Sequence, residues 1–426
     1  MSSINMKGFA STTSKKQALE ILLSKVESVK AFENIAVQHS LNRVLAEDII
    51  SQHDLPPFNR AAMDGYALKF DDSIGASFES PIRLKVVGRV DAGDIRNIEI
   101  DRMETVEIMT GARVPEKTDC VIMAEYTKRL SEDTVEIYQQ LTPWSNIDLK
   151  GSDVHKGEVI LGKGTIIKPA DIGLLKSLRL NTVKVYRPPK VGLISTGDEL
   201  TDFPKPSDEN SKVVESNQIM LSAYILEDGG EPLKYGIVPD NSELIKNILL
   251  RAVAECDIIL VTGGTSVGRK DLVPKIIKDI GLILVHGISM KPGKPTGLAL
   301  VQGKPVILMP GYSVACIIAY TVFCRPLIQR FLNINPPRLQ RYVTAFLTQR
   351  IPSTAGRTDF VRVQLFRKGK QFYATPIRST GSGILSSVVK ANGLLEIPDE
   401  IEGYEEGDTV SVMLLRDQIA EDTEID

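Results

Sequence analysis

Apolar residues first fall at helical spacing near the amino terminus, at Ala18, Leu19, Leu22, Leu23 and Val26, with Lys and Glu between them. Ser14-Lys15-Lys16-Gln17 precedes that run as a capping box, so a helix is predicted from there. A second, short helix is predicted over Ser40 to Ile50, and Asp54-Leu55-Pro56-Pro57-Phe58 then starts a loop. From about Ala67 to Tyr138 short strands stand between Gly and Pro turns: Ile82 to Val90, Thr105 to Met109, Cys120 to Met123 and Thr134 to Tyr138. Gly157 to Lys168 reads as a further β excursion, before a helix over Ala170 to Leu178 and a strand over Thr182 to Tyr186.

After Arg187-Pro188-Pro189 the pattern changes. Apolar strands at Lys190 to Thr196 and Asp257 to Thr262 alternate with helices at Asn217 to Asp228, at Ser242 to Glu255 with Ser242 as N-cap, and near Leu272 to Ile280. Strands at Leu282 to His286 and Pro305 to Met309 follow, then a long apolar helix from Val314 to Leu332. This alternation predicts a doubly wound parallel sheet. Beyond Asn335-Pro336-Pro337, Val361, Val363 and Leu365 alternate with Arg362 and Gln364, the pattern of a half-buried strand. The expected architecture is α/β and multidomain. A discontinuous helical and β entry region (1–53 and 147–187) flanks a small β domain (54–146). A central α/β domain (188–333), a C-terminal β-barrel-like domain (334–416) and a frayed acidic tail (417–426) complete it.

Composition narrows the function classes. A chain of 426 residues fits two to four domains at about 150 residues each. Lys and Arg number 51 against 54 Asp and Glu, a net charge of −3, so no overall field favours nucleic acid or an anionic membrane surface. The apolar stretch Val314 to Phe323 falls short of the ~20 residues of a membrane span. The polar start MSSINMKGFASTTSKK has no apolar signal segment, and Cys120, Cys256, Cys316 and Cys324 are scattered, so a reducing cytoplasm is expected. His39, His53, His155 and His286 show no zinc spacing, and Ser195, Ser266 and Ser313 lie in no GxSxG elbow.

Ligands of an open α/β sheet sit beyond the carboxyl ends of its strands. That rule gathers Thr196-Gly197-Asp198-Glu199, the loop Gly263 to Asp271 and Met309-Pro310-Gly311-Tyr312-Ser313, with Met290 to Pro295 beside them. The loop Gly263 to Gly268 reads equally as a phosphate cradle or as a tight strand-to-helix turn, and it is neither a Walker A nor a GxGxxG loop. Lys291-Pro292-Gly293-Lys294 places two ammonium groups where they suit a polyanion, although read alone a solvated turn is the simpler account. Asp198, Glu199 and Asp271 offer hard oxygen ligands for Mg²⁺, with capping and surface charge as the simpler account of each alone.

Longer motifs in order carry a resemblance. Pro57-Phe58 with Met63-Asp64-Gly65-Tyr66-Ala67, Met109-Thr110-Gly111-Ala112, Ser195 to Leu200, Thr262-Gly263-Gly264 with Ser266-Val267-Gly268 and Asp271, and Lys291 to Pro295 resemble the molybdopterin molybdenumtransferases. This is the MoeA family, which includes the C-terminal domain of gephyrin, and the resemblance runs from about Lys15 to Leu415. It implies a Mg²⁺-assisted transferase at the last step of molybdenum-cofactor assembly, in which molybdate and adenylylated molybdopterin give the loaded cofactor and AMP. It also implies a four-domain homodimer and transient contact with the adenylyltransferase and with apo-molybdoenzymes. By position, Asp64, Thr110, Asp153, Glu199 and Asp271 are the expected catalytic groups, with Glu199 and Asp271 on the metal. Gly263, Gly264, Ser266, Gly268, Lys291, Pro292, Lys294, Pro310, Gly311, Ser313, Arg357 and Ser382 are the expected substrate-binding residues.

The chain departs from the family pattern at four places. Asp148 stands for an arginine, Ser152 for a glutamate, Arg269 for an acidic residue and Tyr312-Ser313 for Asn-Pro. The exchanges at 148 and 269 read either as compensating or as the mark of a paralogue with altered affinity. Tyr312-Ser313 and Asp148, with the gephyrin precedent, leave open a non-catalytic molybdopterin-binding scaffold, and the same reaction with tungstate stays open because molybdate and tungstate are tetrahedral dianions of nearly equal size.

Overall fold

The computed structural model describes residues 12–27, 31–203, 212–264, 272–334, 341–377 and 383–421. Two compact units emerge, one made of 1–33, 42–44 and 185–426, the other of 34–41 and 45–184. In the first, Ser14 Oγ accepts the Gln17 backbone N–H and opens α1 (Lys15–Lys25), which buries Ala18 and Leu22.

The main sheet of this unit contains β1 (Lys190–Thr196), β2 (Glu231–Val238), β3 (Ile258–Thr262), β4 (Gly281–His286), β6 (Gly297–Val301) and β7 (Lys304–Met309). A short β5 (Met290–Lys291) lies outside it. The order is β2-β1-β3-β7-β6-β4. The first four strands are parallel, whereas β6 and β4 join antiparallel, so the sheet is mixed where a wholly parallel one was expected. The strand β6 was not anticipated at all. It forms a hairpin with β7 through Gln302, which takes a left-handed φ of 50°.

Helices α2 (Asn217–Glu227), α3 (Ser242–Glu255) and α4 (Val273–Ile280) accompany the sheet. The N-cap of α3 is Asn241 rather than Ser242, because the Asn241 side chain accepts from the Glu243 and Leu244 N–H groups. Ile245, Leu249 and Val253 of α3 pack with Ile259 and Val261 of β3 and Ile277 of α4.

A long helix, α5 (Ser313–Phe331), follows β7. Pro326 supplies no N–H and crowds the preceding turn, and the helix passes it with a π segment over Tyr320–Cys324. By length and composition this helix would span a membrane, which the shorter stretch read from sequence would not, but most of it is buried in the core.

The C-terminal strands β8 (Tyr342–Leu347), β9 (Thr358–Lys368), β10 (Gln371–Pro376), β11 (Gly393–Ile397) and β12 (Thr409–Leu414) form a closed ring. The order is β9-β10-β8-β12-β11, and β11 pairs back with β9. Its interior holds Leu347, Val363, Leu365, Ile397 and Val412. Arg362, expected on a solvated face, is instead only 8% exposed and donates to Ser387 Oγ, because both faces of β9 are covered there.

The second unit carries a six-stranded sheet in the order Cys120–Met123, Gly65–Leu68, Glu104–Ile108, Ile82–Val90, Thr134–Ile137, Thr127–Arg129. The helix expected over Ser40 to Ile50 is absent. Asn42 takes a φ of 61°, and the backbone N–H groups of Leu45 and Ala46 bond to the carbonyls of Thr165 and Lys184. Tertiary pairing overrides local propensity at this point.

Candidate active site

Parallel register brings three strand ends to one edge. Ser195 lies opposite Thr262, and Thr262 opposite Met309, so the segments after Thr196, Thr262 and Met309 emerge together. Close approach then demands glycine: a Cβ on Gly263, whose φ is 84°, would lie 2.2 Å from the Thr196 carbonyl oxygen. Beyond this edge opens a cavity of about 530 Å³ lined by Thr196, Glu199, Asn217, Gly263, Gly264 and Gly311, among others. The Glu199 carboxylate folds over Gly197, where a Cβ would lie 2.5 Å from Oε1.

Beneath this cavity, Ser195 Oγ donates to the buried Glu215 carboxylate, which also accepts the Gln218 N–H that opens α2. Asn217 Nδ2 donates to the Gly311 carbonyl at 2.8 Å, while its Oδ1 is buried without a partner.

A second cavity, of about 540 Å³, adjoins the first through Pro295, Pro310 and Tyr312. Among the described residues its wall is cationic, with Lys291, Lys294, Arg357 and Arg362 against one carboxylate, Asp359. Arg357 grips Asp359 through two hydrogen bonds of 2.6 and 2.9 Å. Burial pulls the Arg362 guanidinium below its ordinary value. The lysine loop is fixed by pairing, because β5 runs parallel to β9 with Met290 opposite Thr358 and Lys291 opposite Asp359. From the amino-terminal side, the Thr13 carbonyl accepts the Ser289 N–H and its own N–H donates to the Gly287 carbonyl. Such an excess of fixed positive charge beside a carboxylate-bearing hollow suits a phosphorylated or oxyanionic ligand.

In the second unit, the antiparallel register of Gly65 with Ile108 sets Asp64 beside the Met109-Thr110 turn. Thr110 donates from both N and Oγ1 to Asp64 Oδ1, each at 2.7 Å. Those bonds, backbone first, hold the Asp64 carboxyl below its ordinary value. Asp153 is exposed in the same unit, and its N–H bonds to the Leu55 carbonyl. Asp148 pairs with Arg60 at 3.0 Å. Ser313 opens α5 and lines neither cavity.

Ser266, Gly268, Arg269, Asp271 and Ser382 lie outside the described residues. Among the described residues no group of three His, Cys, Asp or Glu side chains is placed to hold a metal on its own. Glu199 nonetheless fits a hard cation that takes one or two carboxylates and completes its shell with substrate phosphates. Sequence reasoning passed over Asn217 and Asp359 and misplaced Arg362. Asn217 follows a Ser at a helix start, which is a cap-like signal, but nothing local marks the other two.

Comparisons with known proteins bear on this arrangement. The family described as "MoeA N-terminal region (domain I and II)" matches residues 13–178, and "MoeA C-terminal region (domain IV)" matches 344–415. Between them, "Probable molybdopterin binding domain" matches 192–330, the stretch that contributes the glycine edge and the lysine loop. The molybdopterin molybdenumtransferase of Bacillus subtilis is 34% identical over 390 residues, 91% of this chain and 90% of that protein. The chain belongs to the MoeA family. Another relative, the molybdopterin molybdenumtransferase of Staphylococcus aureus, is 31% identical over 96% of both chains. The crystal structure of the molybdopterin biosynthesis MoeA protein from Pyrococcus horikoshii superposes with a TM-score of 0.83 at 36% identity, covering 95% of this chain and 100% of that one. The MoeA fold, with its central α/β domain and C-terminal barrel, is therefore the fold of this chain.

Proposed function

We propose that this MoeA-family chain is a molybdenum insertase, a transferase that loads molybdate into adenylylated molybdopterin and releases AMP. The observation that carries the reading is the pair of adjoining cavities, one bearing Glu199 within the segment that matches the molybdopterin-binding family, the other cationic and lined jointly by its lysine loop and by Arg357 and Arg362 of the C-terminal barrel. Cleaving a phosphoanhydride needs its charge neutralised and its parts positioned rather than covalent catalysis. In this reading Lys291, Lys294 and Arg357 take phosphate and oxyanion charge, and the prolines and glycines of the two loops shape the walls. Glu199, with Asp271, would hold Mg²⁺, which supplies Lewis acidity at the phosphates. Asp64, its proton held off by Thr110, is an acceptor that stays ionised at neutral pH. The sulfur ligands for molybdenum belong to the pterin, so the protein's part there is orientation.

The same reading makes the working form a cytoplasmic homodimer that exchanges cofactor transiently with an adenylyltransferase and with apo-molybdoenzymes. The resemblance to MoeA supports these further features.

The deciding assay incubates purified protein with adenylylated molybdopterin, molybdate and Mg²⁺ and measures AMP together with reconstitution of an apo-molybdoenzyme. Wild type should form both products, and Glu199→Gln should slow AMP formation by about 10²-fold. Tight binding of molybdopterin with no AMP from wild type would make the chain a scaffold instead. Competition between molybdate and tungstate in the same assay identifies the oxyanion.

A further inference from the structure

The two cavities meet at Pro295, Pro310 and Tyr312, and of these only Tyr312 presents an extended flat surface. The residue is 67% exposed, although Val314 and Ala315 in the first turn of α5 are buried. The ring's position is nevertheless defined. Asn217 tethers the preceding Gly311 carbonyl, and the Tyr312 carbonyl accepts the Cys316 N–H at 2.9 Å as α5 begins. One edge of the ring rests on Gly383, where a Cβ would lie 3.1 Å from Cδ1 and 3.4 Å from Cε1. Any side chain at 383 would push the ring away, so the glycine leaves room for it.

An aromatic ring anchored along one edge and open over most of its area contributes little to a core. Set between a cationic hollow and a carboxylate-bearing one, it matches a platform for a flat heterocycle whose anionic groups reach the lysines.

We propose that Tyr312 is a specificity-determining residue, a stacking platform for a planar heterocycle of the substrate, either its pterin or its adenine. This rests on the molybdopterin reading above and extends it. With the ring fixed on Tyr312, the phosphates are directed toward Lys291, Lys294 and Arg357, while an oxyanion without a ring gains nothing from Tyr312.

The test measures the affinities of full-length wild type, Tyr312→Phe and Tyr312→Ala for AMP, for neopterin and for molybdate by titration calorimetry, with thermal melting to confirm folding. Tyr312→Ala should lose at least about tenfold in affinity for AMP or for neopterin, and the probe that weakens identifies the ring. Tyr312→Phe should stay within about twofold of wild type, and molybdate should bind all three proteins alike. The proposal is overturned if wild type binds neither ring compound, if Tyr312→Ala binds both as wild type does, or if molybdate affinity falls in parallel. Failure of the insertase reading would show separately, as absence of AMP formation by wild type, and would leave these affinity ratios intact.

Discussion

At the scale of single residues, Thr110 makes two hydrogen bonds to one carboxylate oxygen of Asp64 in the second unit. Two donors on one carboxylate oxygen lower its pKa, so the pair stabilises the fold above the unfolded value of about 3.9. That contribution is lost as pH falls through the lower folded value, and none of it changes between pH 5 and 8. Thr110→Val keeps the backbone donor and removes the hydroxyl, so the Asp64 carboxyl should titrate at higher pH in a ¹³C-detected titration. An unmoved titration would assign the whole effect to the backbone N–H. Gly263 makes a second residue-scale case. Gly263→Ala meets both a left-handed φ of 84° and a carbonyl oxygen at 2.2 Å. It should destabilise the protein by at least about 1–3 kcal/mol in urea denaturation, with ligand affinity falling as well.

At the scale of elements, α5 is held by a buried knot. Asp228, at the end of α2, accepts the Tyr320 hydroxyl at 2.7 Å and the Arg325 Nε at 2.9 Å; Tyr320 opens the π segment and Arg325 immediately follows it. Burial pushes the Tyr320 phenol up, so it donates as a neutral hydroxyl. Asp228→Ala leaves the Arg325 charge without its carboxylate and should lower stability by about 3–5 kcal/mol, read as a shifted urea midpoint. A loss below about 1 kcal/mol would mean that water replaces the carboxylate freely. Strands and helices of this central region were legible because apolar runs end sharply at Gly and Pro. The sheet edge was legible for the same reason, since glycines mark where backbones converge. The supposed helix over Ser40 to Ile50 was not, because its Leu45 and Ala46 N–H groups are claimed by carbonyls more than 100 residues later. Arg362 was misread because alternation reports one covered face, whereas β9 is covered on both. The cationic wall was partly legible: Lys291 and Lys294 announce themselves by sequence, but Arg362, and the Asp359 carboxylate set against the cations, enter only through the strand β9.

At the scale of the whole molecule, the four cysteines test packing in every layer they occupy. All are free and buried, and burial pushes the Cys120 thiol up to about 12 and raises those of Cys256, Cys316 and Cys324. Thiolates are therefore scarce in the native protein at pH 8. A chromogenic disulfide reagent should label fewer than one thiol per chain before denaturation and four after it. Rapid labelling of the native protein would instead reveal opening of the core on the timescale of the reaction.

The two-residue strand Met290–Lys291 has a consequence for how this protein can be divided. The lysine loop belongs by sequence to the α/β domain, but its edge is completed by a strand of the barrel. The two domains therefore share a piece of hydrogen-bonded sheet and do not form a modular pair. An α/β domain expressed alone would retain its glycine edge and lose the template that aligns its lysines. Evolutionary exchange of barrels between relatives would succeed only where the donor's residues at 358 and 359 preserve that register.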